Sequence, residues 1–128
     1  MKGFTTVAVM ILLGGCAVGT PPNKENLSDS YVVPLSYQDT YRRVYEHARR
    51  CMPNATITGN LFTGNKTGVV RIALAEIGDG EQMSTRVEHV SDDQTKVSVT
   101  VSDVGHFDER QMLSVRKSIK RGSPQCRY

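Results

Sequence analysis

Residues 36–53 read SYQDTYRRVYEHARRCMP, and this stretch decides the fold prediction for the whole chain. Apolar and aromatic side chains recur in it at intervals of three and four residues, which is the period of an amphipathic helix. Ser36 offers an N-cap, and Asp39 stands at the third helical position, as in a capping box. Pro53 ends the pattern, so the sequence predicts a helix from residue 37 to residue 52.

Three tyrosines of this helix, Tyr37, Tyr41 and Tyr45, stand four residues apart. Such a ladder would suit a surface stripe that stacks on sugar rings. A helix face packed in the core explains the same spacing with fewer assumptions, because residues four apart lie on one side of a helix. We therefore predict that the three rings pack inside the protein.

Short runs of alternating apolar and polar residues follow this helix and predict β-strands. The alternation is clearest over residues 97–101 and 70–74, and weaker over residues 83–90 and 55–62. Before the helix, residues 31–35 are β-prone and contain a proline, which is typical of an edge strand or an extended lead-in.

A second amphipathic helix is predicted over residues 108–120, where Gly122 and Pro124 stop the apolar period. A sheet with one apolar face must bury that face, and two amphipathic helices supply the cover. The predicted fold class is therefore α+β. We expect an antiparallel meander of three to four strands, covered on one face by two amphipathic helices, in the order α-β-β-β-β-α.

The first sixteen residues carry a different kind of signal. Lys2 precedes an apolar run over residues 7–13, which is shorter than the roughly 20 residues that span a bilayer. The run ends in Leu13, Gly14, Gly15 and Cys16. This Leu-Gly-Gly-Cys sequence resembles the lipobox of bacterial lipoproteins.

The lipobox resemblance implies a lipid anchor in the bilayer. In that family the cysteine thiol receives a diacylglyceryl group, the preceding peptide is removed, and the new amino group is acylated with a fatty acid such as palmitate. We then expect a signal peptide over residues 1–15, a lipidated Cys16 with a flexible tether over residues 16–30, and a single α+β domain over residues 31–128. Ala17 stands where an aspartate commonly retains such proteins in the inner membrane. The resemblance therefore implies the outer membrane, facing the periplasm, rather than the inner membrane.

Two further cysteines, Cys51 and Cys126, lie in the predicted domain. An exported protein lives in an oxidising compartment, so the pair predicts a disulfide. A redox-active thiol and a metal ligand are the alternatives, but the chain has no Cys-x-x-Cys and no histidine cluster near either cysteine. His47, His89 and His106 lack metal-ligand spacing and are predicted as surface or turn residues. With no nucleophile motif either, the sequence predicts no enzyme, no metal and no cofactor.

Eight basic side chains on the two predicted helices are the remaining functional signal. They are Arg42, Arg43, Arg49, Arg50, Arg116, Lys117, Lys120 and Arg121. We interpret them as a positively charged face that binds an envelope protein with an acidic patch or an anionic lipid surface. Nucleic acid is a poor partner for a periplasmic protein.

The stretches VPLSYQDTYRRVYEHARRC and GSPQC also resemble small proteobacterial lipoproteins that carry no assigned activity. The sequence therefore predicts a membrane-anchored, non-enzymatic envelope lipoprotein that binds another cell-envelope component through its basic helical face. The alternative is a periplasmic ligand-binding or inhibitor module that acts on cell-wall fragments or on a hydrolase.

Overall fold

The computed structural model describes residues 27–74, 82–102 and 107–126. These residues form five strands and two helices, and the chain order is strand, helix, four strands, helix. The elements are β1 (Leu27–Val33), α1 (Tyr37–Cys51), β2 (Thr56–Phe62), β3 (Thr67–Ala73), β4 (Met83–Ser91), β5 (Gln94–Val101) and α2 (Glu109–Arg121).

All five strands join one antiparallel sheet in the order β1-β5-β4-β3-β2. Strands β2 to β5 form the predicted meander, and β1 pairs with the last of them, β5. The predicted α+β class with an antiparallel sheet and two helices is thereby confirmed. The predicted three to four strands and the order α-β-β-β-β-α are wrong in detail, because a fifth strand precedes the first helix.

Strand β1 begins at Leu27, inside the segment that was expected to be a tether up to residue 30. Ser28, Asp29 and Ser30 make this part of the chain polar and hide its strand character in the sequence. An edge strand tolerates such residues, because only one of its sides is hydrogen-bonded and its side chains stay largely exposed. The alternate residues Tyr31 and Val33 are the ones that turn towards the core.

The core lies between one face of the sheet and the two helices. The alternating side chains of β5 are fully buried on this face, and those of β4 and β3 continue the same layer. Burial of one such aliphatic side chain contributes about 1.5–3 kcal/mol. The most deeply buried members are Val70, Met83, Val87, Val97, Val99, Val101, Val115 and Ile119.

Side-chain caps fix the beginnings of both helices. The backbone N–H of Asp39 donates to Oγ of Ser36 at 3.2 Å, which is the predicted N-cap of α1. The carboxylate of Asp39 pairs with Arg42 at 3.4 Å, so it acts within the helix surface instead of closing a capping box. Asp108 caps α2, and Gly122 ends that helix in the left-handed region, with φ of 74°.

The tyrosines of α1 pack on the sheet, where two glycines leave room for them. Tyr37 is buried, and the half-buried rings of Tyr41 and Tyr45 stack on each other at 6.1 Å. A Cβ atom at Gly59 would lie 2.8 Å from the Tyr45 ring, and one at Gly68 would lie 2.7 Å from Cδ2 of Tyr41. The spacing of these tyrosines therefore reflects a packed helix face.

We predict that Gly68→Ala destabilises the protein by about 1–3 kcal/mol, because the added methyl group overpacks the space between Tyr41 and Val87. Gly64→Ala is the matched control, because nothing lies within 4 Å of a Cβ atom at that position. Urea unfolding of the two variants measures the difference. Equal stabilities of the two variants would contradict the packing of Tyr41 described here.

Candidate functional site

The lipobox residues Leu13, Gly14, Gly15 and Cys16 lie outside the described residues, and so does the predicted tether up to residue 26. Within the described ranges 27–74, 82–102 and 107–126, neither helix has the length and apolar character needed to cross a bilayer.

A covalent link and a hydrogen-bond chain join the C-terminal ends of the two helices. Cys51, the last residue of α1, forms a disulfide with Cys126, which follows α2, and the S–S distance is 2.06 Å. Nδ1 of His47 is hydrogen-bonded to Oγ of Ser118 in α2 at 2.6 Å, and the backbone N–H of Gln125 donates to the same Oγ at 2.7 Å. We call these five residues the C-terminal clasp.

His47 occupies the centre of the C-terminal clasp, and the prediction that it lies on the surface is wrong. It is 1% exposed. The reason is its position four residues before Cys51 and three after Val44, on the inward face of α1. Nδ1 also lies 3.6 Å from the Sγ atom of Cys51, so the ring packs against the disulfide.

Oγ of Ser118 is the centre of the hydrogen-bond chain. It lies 2.6 Å from Nδ1 of His47 and 3.5 Å from the carbonyl oxygen of Gln125. The contact with Nδ1 forms in either tautomer of the neutral ring, because a hydroxyl can donate to the nitrogen or accept from it. Nε2 is buried and has no hydrogen-bond partner among the described residues. Such an unsatisfied group costs about 1–3 kcal/mol.

Burial also sets the charge of His47. Desolvation lowers the pKa of His47 to about 4, because the imidazolium form loses its hydration inside the protein. The ring is therefore neutral at pH 7. A neutral imidazole between a hydroxyl and a disulfide serves as a structural hydrogen-bonding group and not as a surface cation.

The structure divides the eight predicted basic residues into two groups. Three of them are engaged in contacts within the protein. Arg43 is half-buried, and its Nη1 donates to the carbonyl oxygen of Ile119 at 2.6 Å. That carbonyl belongs to the last turn of α2, where backbone acceptors lack helical partners and the helix dipole favours a cation. Arg42 pairs with Asp39.

Arg116 is the third engaged residue. Its guanidinium carbon lies 4.5 Å from the centroid of the Tyr31 ring, which is a cation–π contact between α2 and β1. The hydroxyl of Tyr31 is buried and has no partner among the described residues. Burial raises the pKa of Tyr31, and the charge of Arg116 opposes that shift in part. Arg116 therefore covers an aromatic ring in addition to adding charge to the surface.

The second group consists of exposed side chains that have no acidic partner among the described residues. Its members are Arg49, Arg50, Lys117, Lys120 and Arg121. We call them the free cations.

Two of the free cations line a cleft beside the C-terminal clasp. Arg49 and Arg50 surround an opening of about 440 Å³ together with Glu46 and Pro124. Arg49 leans over the Tyr45 ring, with 5.9 Å between its guanidinium carbon and the ring centroid. The cleft therefore presents two guanidinium groups and one carboxylate to a ligand.

A second cleft, of about 180 Å³, lies between β1 and α2 and has a different character. Its walls combine apolar side chains with two carboxylates. They are Leu27, Ser28, Asp29, Glu109, Met112 and Leu113. This cleft was not predicted, because its two walls are 80 residues apart and the part of β1 that lines it, residues 27–29, was expected to be a tether. Among the described residues, no cluster of three or more histidine, cysteine or carboxylate side chains is arranged to hold a metal ion.

Comparison with protein-family models and with curated proteins finds no match. Solved structures of low similarity do match. A conserved protein of unknown function from Enterococcus faecalis is 15% identical with a TM-score of 0.40, and the match covers 75% of this chain and 69% of that one. A hypothetical protein from Helicobacter pylori is 9% identical with a TM-score of 0.40, over 80% of this chain and 88% of that one. Ara h 8.0201 is 13% identical with a TM-score of 0.38, over 76% and 95%. All three TM-scores lie below 0.5, and nothing about the function of this chain follows from them.

We predict that acid weakens the fold through His47. Above pH 6.5 the ring is neutral in the folded and the unfolded chain. As the pH falls from 6.5 to about 4, the unfolded chain binds a proton that the folded protein does not, so the free energy of unfolding falls. The expected loss is about 3 kcal/mol.

The measurement is urea unfolding of the wild type and of His47→Gln at pH 7 and pH 4. His47→Gln removes the titrating ring, so its loss of stability over this range should be smaller by that amount. His89→Gln is the matched control, because it retains His47 and is expected to keep the full loss. If His47→Gln and the wild type lost the same stability, the neutral buried ring would be disproved.

Proposed function

We propose that the protein is a membrane-anchored, non-enzymatic envelope lipoprotein that binds a negatively charged component of the cell envelope through its free cations. The sequence LGGC at residues 13–16 supports the anchor, and Ala17 supports the outer membrane, facing the periplasm. Two or more acyl chains on one cysteine hold a protein firmly in a bilayer, whereas a single chain binds only marginally.

The charge of the helix layer is the observation that carries the binding proposal. The two helices hold nine basic and three acidic side chains, although the whole chain has a formal net charge of only +3. Arg43 and Arg116 make contacts within the protein, and Arg42 is paired with Asp39. The five free cations have no acidic partner among the described residues and stay exposed, although Arg49 also leans over the Tyr45 ring.

The fold keeps the free cations on one layer of the molecule. Both helices cover the same face of the sheet, and their outer surfaces are turned away from it. The C-terminal clasp holds the end of α1 next to the end of α2, where Lys120 and Arg121 lie. Positive charge near an anionic surface contributes about 1 kcal/mol for each residue at physiological ionic strength. A partner with several phosphate or carboxylate groups would therefore gain a few kcal/mol from this layer.

We predict that Lys117→Glu, Lys120→Glu and Arg121→Glu together weaken partner binding at least tenfold, because three attractive charges become repulsive. The experiment is crosslinking with mass spectrometry on the acylated protein in its own membrane, with quantification of the captured protein. Lys66→Glu with Lys96→Glu is the matched control, because both lysines are exposed and lie away from the helices.

Three outcomes separate the proposal from its alternatives. Loss of one crosslinked partner in the helix variant but not in the control supports an acidic envelope protein. Loss of binding to vesicles that contain anionic lipid, without a protein partner, supports a lipid surface. Capture by isolated peptidoglycan that survives the helix charge reversal would contradict the binding proposal and favour the cell-wall ligand module. The anchor is tested in the same membranes, because Cys16→Ala should abolish acyl labelling and release the protein. Unchanged labelling would contradict the anchor.

A further inference from the structure

The two edge strands of the sheet differ in their protection against pairing with another strand. Strand β1 carries Asp29 on the side of the sheet that faces the helices, and Pro34 follows it directly. An inward-pointing charge and a proline are devices that keep an edge strand from accepting a neighbour. Strand β2 (Thr56–Phe62) has no charge and no proline along its seven residues.

Strand β2 also exposes apolar surface. Leu61 is 39% exposed and Phe62 is 49% exposed, and they are two of the five large apolar side chains that are exposed among the described residues. No described strand pairs with the outer side of β2, where alternate backbone N–H and C=O groups therefore face outward. An uncharged edge of this length is a template for a further strand.

We propose that β2 pairs with β2 of a second copy of this chain, in antiparallel orientation, about a two-fold axis at Gly59. The two sheets then continue as one sheet of ten strands. A symmetric contact of this kind must be complementary to itself, because the same patch meets its own copy. The sequence of β2 satisfies this requirement at every pair.

The two-fold axis at Gly59 places like with like across the seam. On the helix-covered side, Ile57 lies opposite Leu61 of the second copy, so two apolar side chains that are incompletely buried in the monomer cover each other. On the open side of the sheet, Thr58 lies opposite Asn60 of the second copy, which pairs a hydroxyl with an amide. At the ends of the seam, Thr56 lies opposite Phe62, which pairs a β-branched with an aromatic side chain.

The charged side chains of the strands do not oppose the pairing, whereas Arg49, which leans over the Tyr45 ring, lies near the seam on the helix-covered side. The nearest charged side chain of the sheet is Arg71, which lies beside Thr58 in the register of β2 and β3. Three strand spacings of about 4.8 Å separate it from Arg71 of the second copy, so the two charges are more than about 14 Å apart. That distance exceeds the Debye length of about 8 Å at physiological ionic strength.

Gly59 also suits the centre of the seam. Glycine within a strand often marks a place where another backbone approaches closely. The Tyr45 ring lies over Gly59 on the helix-covered side, so the tyrosines of the two copies would meet above the axis and add aromatic contact to the hydrogen bonds.

The test is sedimentation equilibrium of the full chain in a density-matched detergent, at about 1–500 µM. A single strand pair buries less than the roughly 1,200 Å² of a standard interface, so we expect a weak dimer with a dissociation constant in the micromolar range. Thr58→Lys with Asn60→Lys sets two lysine pairs against each other across the axis and should raise the dissociation constant at least tenfold.

A charge swap separates pairing from a general loss of stability. Thr58→Lys with Asn60→Glu carries two substitutions at the same positions, but the axis now sets each lysine opposite a glutamate, so dimerisation should return. Ser28→Lys with Ser30→Lys makes the corresponding change on β1 and should leave the dimer intact. A wild type that is monomeric up to about 500 µM would overturn the proposal. So would two β2 variants that behave alike, or a control that dissociates.

Amide hydrogen exchange gives a readout that needs no variant. In a dimer, amides of β2 should exchange more slowly as the concentration rises, whereas amides of β1 should not change. Equal concentration dependence at the two edges would count against pairing through β2.

Discussion

The C-terminal clasp is the constraint on which the arrangement of the helix layer depends. A five-stranded sheet with one apolar face needs cover, and α1 alone does not reach across five strands. Helix α2 completes the cover, but it follows β5 and is therefore far from α1 in the sequence. The disulfide Cys51–Cys126 and the contact of His47 with Ser118 hold the two helices side by side. Arg43, in the middle of α1, adds a third link through the carbonyl oxygen of Ile119 in the last turn of α2.

The buried polar groups of the clasp explain why its position is specific. An apolar contact between two helices tolerates sliding, whereas a hydrogen bond between a buried hydroxyl and a ring nitrogen restricts the position of both helices. Oγ of Ser118 is hydrogen-bonded to two partners, because it contacts Nδ1 of His47 and also accepts from the backbone N–H of Gln125. This brings the segment after α2 back towards α1, where Cys126 meets Cys51. The disulfide and the hydrogen bonds therefore support each other, and together they fix the positions of Arg50 and Lys120 on the surface.

Periodicity in the sequence predicted the elements that have strong patterns. Apolar spacing and turn chemistry predicted both helices, the meander of β2 to β5 and the N-cap at Ser36. Of β1, only the end from residue 31 was indicated as an edge strand or extended lead-in. Its first half was missed because Asp29 interrupts the apolar alternation, which an edge strand permits. The buried position of His47 was not predicted, because the inward face of the helix was assigned from apolar residues alone. Its place between Val44 and Cys51 on one helix face was the signal that marks it as inward. Arg43 and Arg116 contact residues that are more than 70 positions away in the sequence, so no local sequence pattern predicts these contacts.

Three surfaces of the described part of the molecule differ in what they offer to a partner. The helix layer offers free cations, the cleft between β1 and α2 offers two carboxylates, and β2 offers an uncharged backbone edge. The free cations of α2 lie on the helix that packs against β1, at the opposite edge of the sheet from β2, so a negatively charged partner on α2 and a second copy on β2 do not exclude each other. A lipid anchor at Cys16 would bring copies together in one membrane and raise their effective concentration, which favours a weak contact.

The C-terminal clasp holds the helix layer on the sheet. The most direct test compares the free energy of unfolding of the wild type with that of Cys51→Ser combined with Cys126→Ser, in urea at pH 7. Removing a link that closes a loop of 75 residues should cost on the order of 4 kcal/mol, which is a large part of the 5–15 kcal/mol typical of a domain. A loss below about 1 kcal/mol, with an unchanged dependence on urea, would contradict the claim and show that packing on the sheet alone holds the two helices in place.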